Sequence, residues 1–304
     1  MAVEQRPSRI SVQKKENLLG YLLIMPAIIL IVIVSIIPIL QTFGYSLQYY
    51  NLTDPLNQKF IGFANYIQIF KMAEFYDTLF NTLVFTVGSV GLEMVVGLIC
   101  AMLMNRAGGK GVTTIRTSVL IPWAIPGIVV AQMFRFIFDG QLGVLNSILR
   151  ALGIIGSTES FAFLAKPGWA MFAVIIADTW KQFPFVALLL YAGLQIIPEE
   201  LYEAAKVDGG NVVQRFVKIT LPMIKPMILV ALIFRTMSAL RIFDIVYSMT
   251  GGGPANTTNT LLHSAYIYLF KDMNFGLGST MSTIIFILIM IICMIYIKTL
   301  GRDE

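Results

Sequence analysis

Ionisable side chains interrupt the apolar segments of this 304-residue chain, at the positions Glu93, Arg135, Asp178, Lys181, Arg235, Arg241 and Asp244. A charge near the centre of a bilayer costs roughly 3 kcal/mol or more, so charges at such depths are candidates for a functional site. Charged residues at such depths can have three roles: they contact a polar solute, carry protons or neutralise each other.

Two pairs of these residues are three positions apart, Asp178 with Lys181 and Arg241 with Asp244. That spacing puts both members on one helix face, where each pair can neutralise itself. The other interpretation is a solute path, with one pair near mid-membrane and the other near the outer mouth. Neighbouring polar and aromatic residues would complete that path: Trp180, Gln182, Phe183, Ser238 and Phe243. Both interpretations stay open.

We find no catalytic set and no metal or cofactor site in the sequence. Gly108-Gly109-Lys110 lacks the spacing and the Ser or Thr of a phosphate-binding loop. His263 is the only histidine, too few for a His-based zinc site, and its role stays open. Cys100 and Cys293 lie in apolar runs and form no C-x-x-C spacing. The chain is therefore not expected to be an enzyme.

The composition predicts an all-α membrane protein. Apolar residues make up 57% of the chain and charged residues 13%, against about 25% in soluble domains, and the mean hydropathy is +0.78. Segments of the length that spans a bilayer lie at about 18–43, 79–104, 115–138, 169–194, 223–247 and 279–297. The first is too long for a signal peptide and lacks a cleavage site.

No internal repeat and no second domain is visible, so a tail over 1–17 precedes one transmembrane domain over 18–298. Basic residues are concentrated in the N-terminal tail, the 105–117 loop, the 195–225 region and the C-terminus. Because Lys and Arg favour the cytoplasmic side, both termini are predicted inside. The basic residues do not cluster among aromatic residues on a soluble face, which argues against nucleic-acid binding.

Several segments are predicted to be irregular. Pro122, Pro126 and Gly127 fall in the third span and Pro184 in the fourth, where proline kinks a helix. Each kink either lines a pathway or serves packing alone. On the outer side, residues 48–78 carry apolar residues at helical spacing, which predicts an interfacial amphipathic helix. Turns are predicted at Gly143 and Asn146, and at Gly251-Gly252-Gly253-Pro254.

The sequence of the predicted cytoplasmic loop over 198–222 indicates two short helices. Pro198 can open the first, Glu203 lies near its positive end, and Gly209-Gly210 stops it. Asn211 can cap the second, which Pro222 ends. An amphipathic helix exposed to cytosol suits insertion into a partner's groove.

This loop resembles the signature of binding-protein-dependent ABC importer permeases. The residues that carry the resemblance are Glu203-Ala204-Ala205, Gly209 and Ile219-x-Leu221-Pro222. The longer form, Glu203-Ala-Ala-Lys-Val-Asp208-Gly-Gly-Asn, is similar to the sugar branch, which usually has Ala where Gly210 stands. Supporting matches are Gly62-Phe63-x-Asn65-Tyr66, Asn81-Thr82, Leu194-Gln195-x-x-Pro198, Arg241-x-Phe243-Asp244, and Thr250-x-Gly252-Gly253-Pro254 with Thr258. They resemble the maltose and glycerol-phosphate type, over roughly 18–298.

The resemblance implies a permease in a prokaryotic cell membrane that works with a second permease, two cytoplasmic ATPases and an extracytoplasmic solute-binding protein. ATP and Mg would bind the ATPases rather than this chain, and the substrate would be a sugar or sugar-like solute. Coupling to the ATPases would fall to Glu203, Ala204, Ala205, Asp208, Gly209, Phe216, Leu221 and Pro222. Contact with the binding protein would fall to Gly252, Gly253, Pro254 and Thr258.

The alternative function is a secondary transporter driven by an ion gradient, which would use the carboxylates Glu93, Asp178 and Asp244. The absence of an inverted repeat and the presence of the 198–222 loop argue against it. The sequence names neither the solute nor the partner chains.

Overall fold

A computed structural model describes residues 9–106, 111–156 and 158–300 of the chain. The predicted tail up to residue 8, Lys110 and Arg302 lie outside the described residues. Helices in chain order are α1 (Arg9–Ile31), α2 (Ile37–Ser46), α3 (Ala64–Lys71), α4 (Ala73–Arg106), α5 (Gly111–Ala124), α6 (Gly127–Ile137), α7 (Val144–Ala151), α8 (Trp169–Leu194), α9 (Glu199–Val207), α10 (Val212–Arg215), α11 (Leu221–Met223), α12 (Lys225–Ala239), α13 (Asp244–Met249), α14 (Leu261–Tyr266) and α15 (Phe275–Leu300).

Short segments join several of these helices. Wide helical turns with i to i+5 geometry cover Val32–Ile36, Phe216–Thr220 and Ile267–Lys271. Tight helical turns cover Pro55–Asn57 and Phe163–Ala165. One small antiparallel sheet pairs β1 (Gln48–Tyr49) with β2 (Lys59–Phe60), with Gln48 opposite Phe60.

Four continuous helices in the described part of the chain are long and apolar enough to cross a membrane: Asn17–Ser46, Ala73–Arg106, Trp169–Leu194 and Phe275–Thr299. Two bent pairs pass the same test, so the number of candidate spans reaches six if each pair is one span. The predicted spans coincide with these segments to within a few residues, except in the third and fifth.

The third predicted span, 115–138, is broken rather than kinked. Thr117–Ala124 and Gly127–Ile137 meet at 94°. Pro126 explains the break, because proline restricts the residue before it and cannot donate to the previous turn.

The fifth predicted span, 223–247, is not one helix either. Val212–Met223 and Lys225–Ala239 meet at 65°, with Pro226 in the first turn of the second part. The loop helix ends at Met223, one residue after Pro222, close to its predicted end. After Ala239 the chain leaves the helical path, and α13 packs against α6 as a separate element.

The centre of the fold is the parallel pair α4 and α8, which pack closely at two glycines of α4. A Cβ on Gly97 would lie 2.7 Å from Val186 Cγ1, and one on Gly88 would lie 2.8 Å from Ile175 Cδ1. Small residues let membrane helices approach closely, since lipid supplies no hydrophobic drive for helix association. α12 packs against α4, α8 and α15 and so completes the core.

The first candidate span packs against the rest of the chain only at its C-terminal end. Its side chains from residue 17 to 41 are exposed, whereas α2 contacts α15 farther along. Lipid or another subunit must cover the exposed part.

Outer segments differ from the prediction in two places. Residues 48–78 hold the small sheet and two helix starts, and α3 has only eight residues. Asn65 anchors α3, because its buried amide donates to the carbonyls of Ser46 (3.0 Å) and Gln48 (2.8 Å). Asn146 is not a turn residue: it is buried in α7 and its amide donates to three carbonyls of the outer segment, including Phe161 O at 3.0 Å.

Candidate functional site

A buried ion triad connects the three central helices. Arg235 on α12 pairs with Glu93 on α4 through Nε–Oε2 (2.5 Å) and Nη2–Oε1 (2.8 Å). Its Nη2 also donates to Asp178 Oδ2 on α8 at 3.0 Å. All three side chains are at most 3% exposed. Buried charges are stable only when paired and hydrogen-bonded, and a two-point contact of guanidinium with carboxylate meets both needs.

The triad corrects the predicted pairing along one helix. Asp178 is bonded to Arg235 rather than to Lys181, whose Nζ lies 3.4 Å from the carbonyl oxygen of Trp123. Arg241 and Asp244 do not share a helix, because α12 ends before them and α13 begins at Asp244.

A cavity of about 170 Å³ lies beside the triad, between the fourth and fifth candidate spans and the broken third. Its walls include most of the residues predicted for a solute path: Asp178, Lys181, Gln182, Ser238, Arg241, Phe243 and Asp244. Trp180 and Phe183 are not among the lining residues; Trp180 packs instead on Phe134, with ring centroids 5.6 Å apart. Both residues were predicted to line the path because the sequence does not show which side chains of this helix face the cavity.

The break in the third span shapes one wall of this cavity. The start of α6 at Gly127 lies against Asp244, so that a Cβ on Gly127 would be 2.9 Å from Asp244 Oδ2. The carboxylate therefore lies near the positive end of the α6 dipole, which favours negative charge.

Gly127→Ala is expected to destabilise the folded chain by about 1–3 kcal/mol, because the new methyl group forces α6 and α13 apart. Gly91→Ala is the matched control, since a Cβ there meets nothing within 4 Å. Thermal unfolding in nanodiscs measures both. Equal midpoints for the two variants would contradict the close contact.

The predicted loop of two short helices is confirmed in detail. α9 starts after Pro198, and Gly209 ends the turn at a φ of +77°. Asn211 caps α10 through a reciprocal pair with Gln214, in which each backbone N–H donates to the other side chain at 2.8 and 2.9 Å. The hydroxyls of Tyr202 and Thr220 are 2.8 Å apart and join the two helices.

Several residues predicted for coupling are exposed on this loop, including Glu203, Ala204, Asp208, Leu221 and Pro222, whereas Ala205 and Phe216 are half-buried. Sequence reasoning gave less weight to the neighbouring apolar side chains. Val207 is 88% exposed and Val213 is 69% exposed. A run of apolar side chains in water is typical of an interaction surface.

The loop after α13, predicted to lie on the outer side, is held by hydrogen bonds within itself. Thr258 Oγ1 donates to Gly253 O at 2.7 Å and lies 2.7 Å from Thr250 Oγ1. Gly252 and Thr258 are buried, so they cannot be the predicted surface contacts for a partner. Gly253 and Pro254 are half-buried, and the exposed positions are Gly251, Ala255 and Asn256.

Sequence reasoning missed the residues that hold this loop on the second candidate span. Asn81 Nδ2 donates to the carbonyls of Asn256 (2.9 Å) and Asn259 (3.2 Å). Thr82 Oγ1 accepts from Leu261 N at 2.9 Å. Both contacts join positions far apart in the chain, and only the family resemblance of Asn81-Thr82 pointed to them.

His263 has a structural setting. Its Nδ1 lies 2.8 Å from Asn259 Oδ1, and its ring faces Gly252, where a Cβ would lie 3.1 Å from Cε1. Burial, and then the charge of Lys271, lower the pKa of His263 below its ordinary value. The ring is therefore neutral at pH 7. Among the described residues, no group of His, Cys, Asp and Glu could hold a metal ion.

A core of apolar helices with a polar cavity and an exposed helical loop is typical of transport permeases. Comparison with known families is more specific: residues 93–303 match the binding-protein-dependent transport system inner membrane component family. The chain belongs to this family.

Similar proteins cover nearly the whole chain. It is 41% identical over 289 residues to the trehalose/maltose transport system permease protein MalF of Thermococcus litoralis, covering 95% of each chain. It is 38% identical to the sulfoquinovosyl glycerol transport system permease protein SmoG of Agrobacterium fabrum, covering 95% of this chain and 92% of that protein.

A solved structure shows the same fold. The chain superposes with a TM-score of 0.82 and 23% identity on a chain of a bacterial ABC transporter involved in the import of the acidic polysaccharide alginate. The match covers 98% of this chain and all of the other. The chain is therefore a permease subunit of an ABC importer, and the alternative of an ion-gradient-driven secondary transporter is wrong.

Proposed function

We propose that the chain forms half of the path of an ATP-driven importer for an uncharged saccharide. It would cross a prokaryotic cell membrane six times, with both termini in the cytoplasm. A second permease would complete the path, and two ATPases that bind ATP and Mg would drive it. A solute-binding protein would deliver the sugar from outside.

The exposed apolar surface of the 198–222 loop is the observation that carries this proposal. The capped and glycine-terminated helices leave the side chains of Val207 and Val213 exposed, with little packing inside the chain. Burying such side chains against a partner stabilises the complex by about 25 cal/mol per Å². Glu203, Ala204 and Asp208 lie on the same loop and would fit into a cleft of the ATPase.

The charges around the cavity support an uncharged substrate. Three cations, Lys181, Arg235 and Arg241, line the cavity with two carboxylates, Asp178 and Asp244. A third carboxylate, Glu93, does not line the cavity but pairs with Arg235 from behind its wall, so the formal charges sum to zero. A path for an acidic saccharide would need an excess of positive charge to attract it. Gln182 and Ser238 add uncharged hydrogen-bonding groups, which suit sugar hydroxyls. The trehalose/maltose permease at 41% identity agrees with this substrate class.

The outer loop is the proposed contact for the binding protein. Gly253 and Pro254 remain from the predicted set, and Ala255 and Asn256 join them because they are exposed. Ala255 and Asn256 have φ values of +47° and +61°, so the fold holds an unusual surface shape at the point where a partner would dock.

The decisive experiment measures uptake in proteoliposomes that contain the complete transporter, purified through a tag on this chain. Labelled trehalose and maltose are added outside with the purified binding protein. Uptake is expected with ATP inside and to persist when an ionophore collapses the ion gradients. Uptake that requires the gradient and ignores ATP would overturn the proposal.

A charged competitor tests the substrate class. A disaccharide that carries a uronic acid is matched in size to maltose but adds a negative charge. It is expected to enter at least tenfold more slowly, measured with a binding protein that holds both sugars. Equal rates would contradict the charge balance of the cavity.

A further inference from the structure

Four aromatic rings form a continuous group between the cavity and the outer loop, and we call Phe243, Tyr247, Tyr266 and Phe270 the aromatic track. The rings of Phe243 and Tyr247 are stacked, with centroids 5.2 Å apart and planes 19° apart. Tyr266 lies 4.9 Å from Phe243 and 5.4 Å from Tyr247. Phe270 follows 5.2 Å beyond Tyr266.

The track has one end in the cavity. Phe243 lines the cavity together with Asp244 and Arg241. Tyr247 is four residues farther along, one turn and about 6 Å up α13. The same helix then runs directly into the Gly251–Pro254 turn. The track therefore connects the proposed path to the proposed contact with the binding protein.

Internal packing does not bury these rings completely. Tyr247 is 44% exposed and Phe270 is 64% exposed, whereas Phe243 and Tyr266 are half-buried. By contrast, the aromatic residues of the core, such as Phe85 and Phe134, are buried. Exposed ring surface beside charged groups combines an apolar face with hydrogen-bonding partners.

The track is also held in position. The ring centroid of His263 lies 6.2 Å from those of Phe243 and of Tyr247. His263 is in turn fixed by Asn259 and packed on Gly252. A buried imidazole thus lies between the rings and the loop after α13.

We propose that the aromatic track is a saccharide-binding site that extends from the cavity, on which pyranose rings stack during transfer from the binding protein. The C–H faces of a pyranose ring are apolar and match an aromatic face, while its hydroxyls reach Arg241 and Asp244. Stacking of this kind tolerates different linkages, so it suits a transfer step rather than final selection. This inference rests on the proposed import of an uncharged saccharide.

The test replaces Tyr247 by leucine in the complete transporter and measures sugar imported per ATP hydrolysed. Labelled trehalose and maltose are the probes, at saturating concentrations of sugar and binding protein. Tyr247→Leu is expected to lower the imported sugar per ATP about five- to tenfold, because the apolar volume remains while the ring face is lost. Tyr247→Phe and Tyr247→Trp, which keep a ring, are expected to retain most of the wild-type ratio.

Tyr76→Leu is the matched control. Tyr76 is also exposed, lies near the outer end of α4, and does not line the cavity. If the track only anchors the chain at the membrane surface, Tyr76→Leu and Tyr247→Leu should act alike, and that result would overturn the proposal. A fall in ATPase stimulation by the binding protein, with an unchanged ratio of sugar to ATP, would also overturn it, because the rings would then contact the protein.

Wild-type uptake separates the failure of this inference from that of the proposed function. If the wild type imports neither probe with ATP, the proposed substrate fails and the track fails with it. If the wild type imports a probe and Tyr247→Leu keeps the normal ratio, only the track is overturned. A selective loss in Tyr247→Leu supports both.

Discussion

Arg235→Met is expected to abolish uptake and to lower the free energy of unfolding by about 3–5 kcal/mol. The substitution removes the cation that faces Glu93 and Asp178, both at most 2% exposed. Two uncompensated carboxylates then remain in the helix core, and Glu93 is fully buried there. Thermal unfolding of the purified transporter in nanodiscs and uptake of labelled maltose measure the two effects.

Neutralising the whole triad provides the control. Glu93→Gln, Asp178→Asn and Arg235→Met together leave no charge, and hydrogen-bonding groups remain at two of the three positions. Because an apolar or neutral replacement of a buried ion group is often tolerated, this variant is expected to recover most of the lost stability. If Arg235→Met alone unfolds at the wild-type midpoint, the triad carries no buried charge and its proposed role is wrong.

The triad is expected to affect both the stability of the fold and transport, because Arg235 and Asp178 also line the cavity. α12 carries Arg235 and ends just before Arg241, where the chain turns toward α13. Fixing Arg235 against α4 and α8 therefore fixes the cavity wall and, through Phe243, the start of the aromatic track. A change that frees Arg235 is expected to disturb the site before it unfolds the helices.

Local features of this fold were predictable because residues close together in the sequence determine them. Length and hydropathy predict the fourth span over 169–194, and the helix runs over Trp169–Leu194. The helix start after Pro198, the stop at Gly209 and the cap at Asn211 depend on neighbours within four residues. Capping chemistry is local, so a single sequence suffices for it.

Features that depend on packing were not predictable. The spacing of Asp178 and Lys181 favoured a pair on one helix, yet the partner of Asp178 is Arg235, from another helix. The burial of Thr258 has the same origin, since contacts between distant segments decide it. Hydropathy reports that a residue is apolar or charged, and it does not report which helix faces it.

Gly209→Val in the 198–222 loop is expected to reduce uptake at least tenfold and to release the ATPases from the purified complex. Gly209 has a φ of +77°, which a β-branched residue rarely adopts. A Cβ there meets nothing within 4 Å, so steric overlap is not the cause. The turn must instead change its backbone, and α10 then no longer holds its position relative to α9.

Two variants isolate this effect. Gly209→Asn is expected to keep most uptake, because asparagine tolerates the left-handed conformation. Gly153→Val places the same strain at a φ of +69° in an outer segment that also has open space around the Cβ. It is expected to leave ATPase binding intact, as measured by the ratio of subunits after affinity purification. Loss of ATPase in Gly153→Val as well would mean that general instability, and not the shape of the 198–222 loop, separates the subunits.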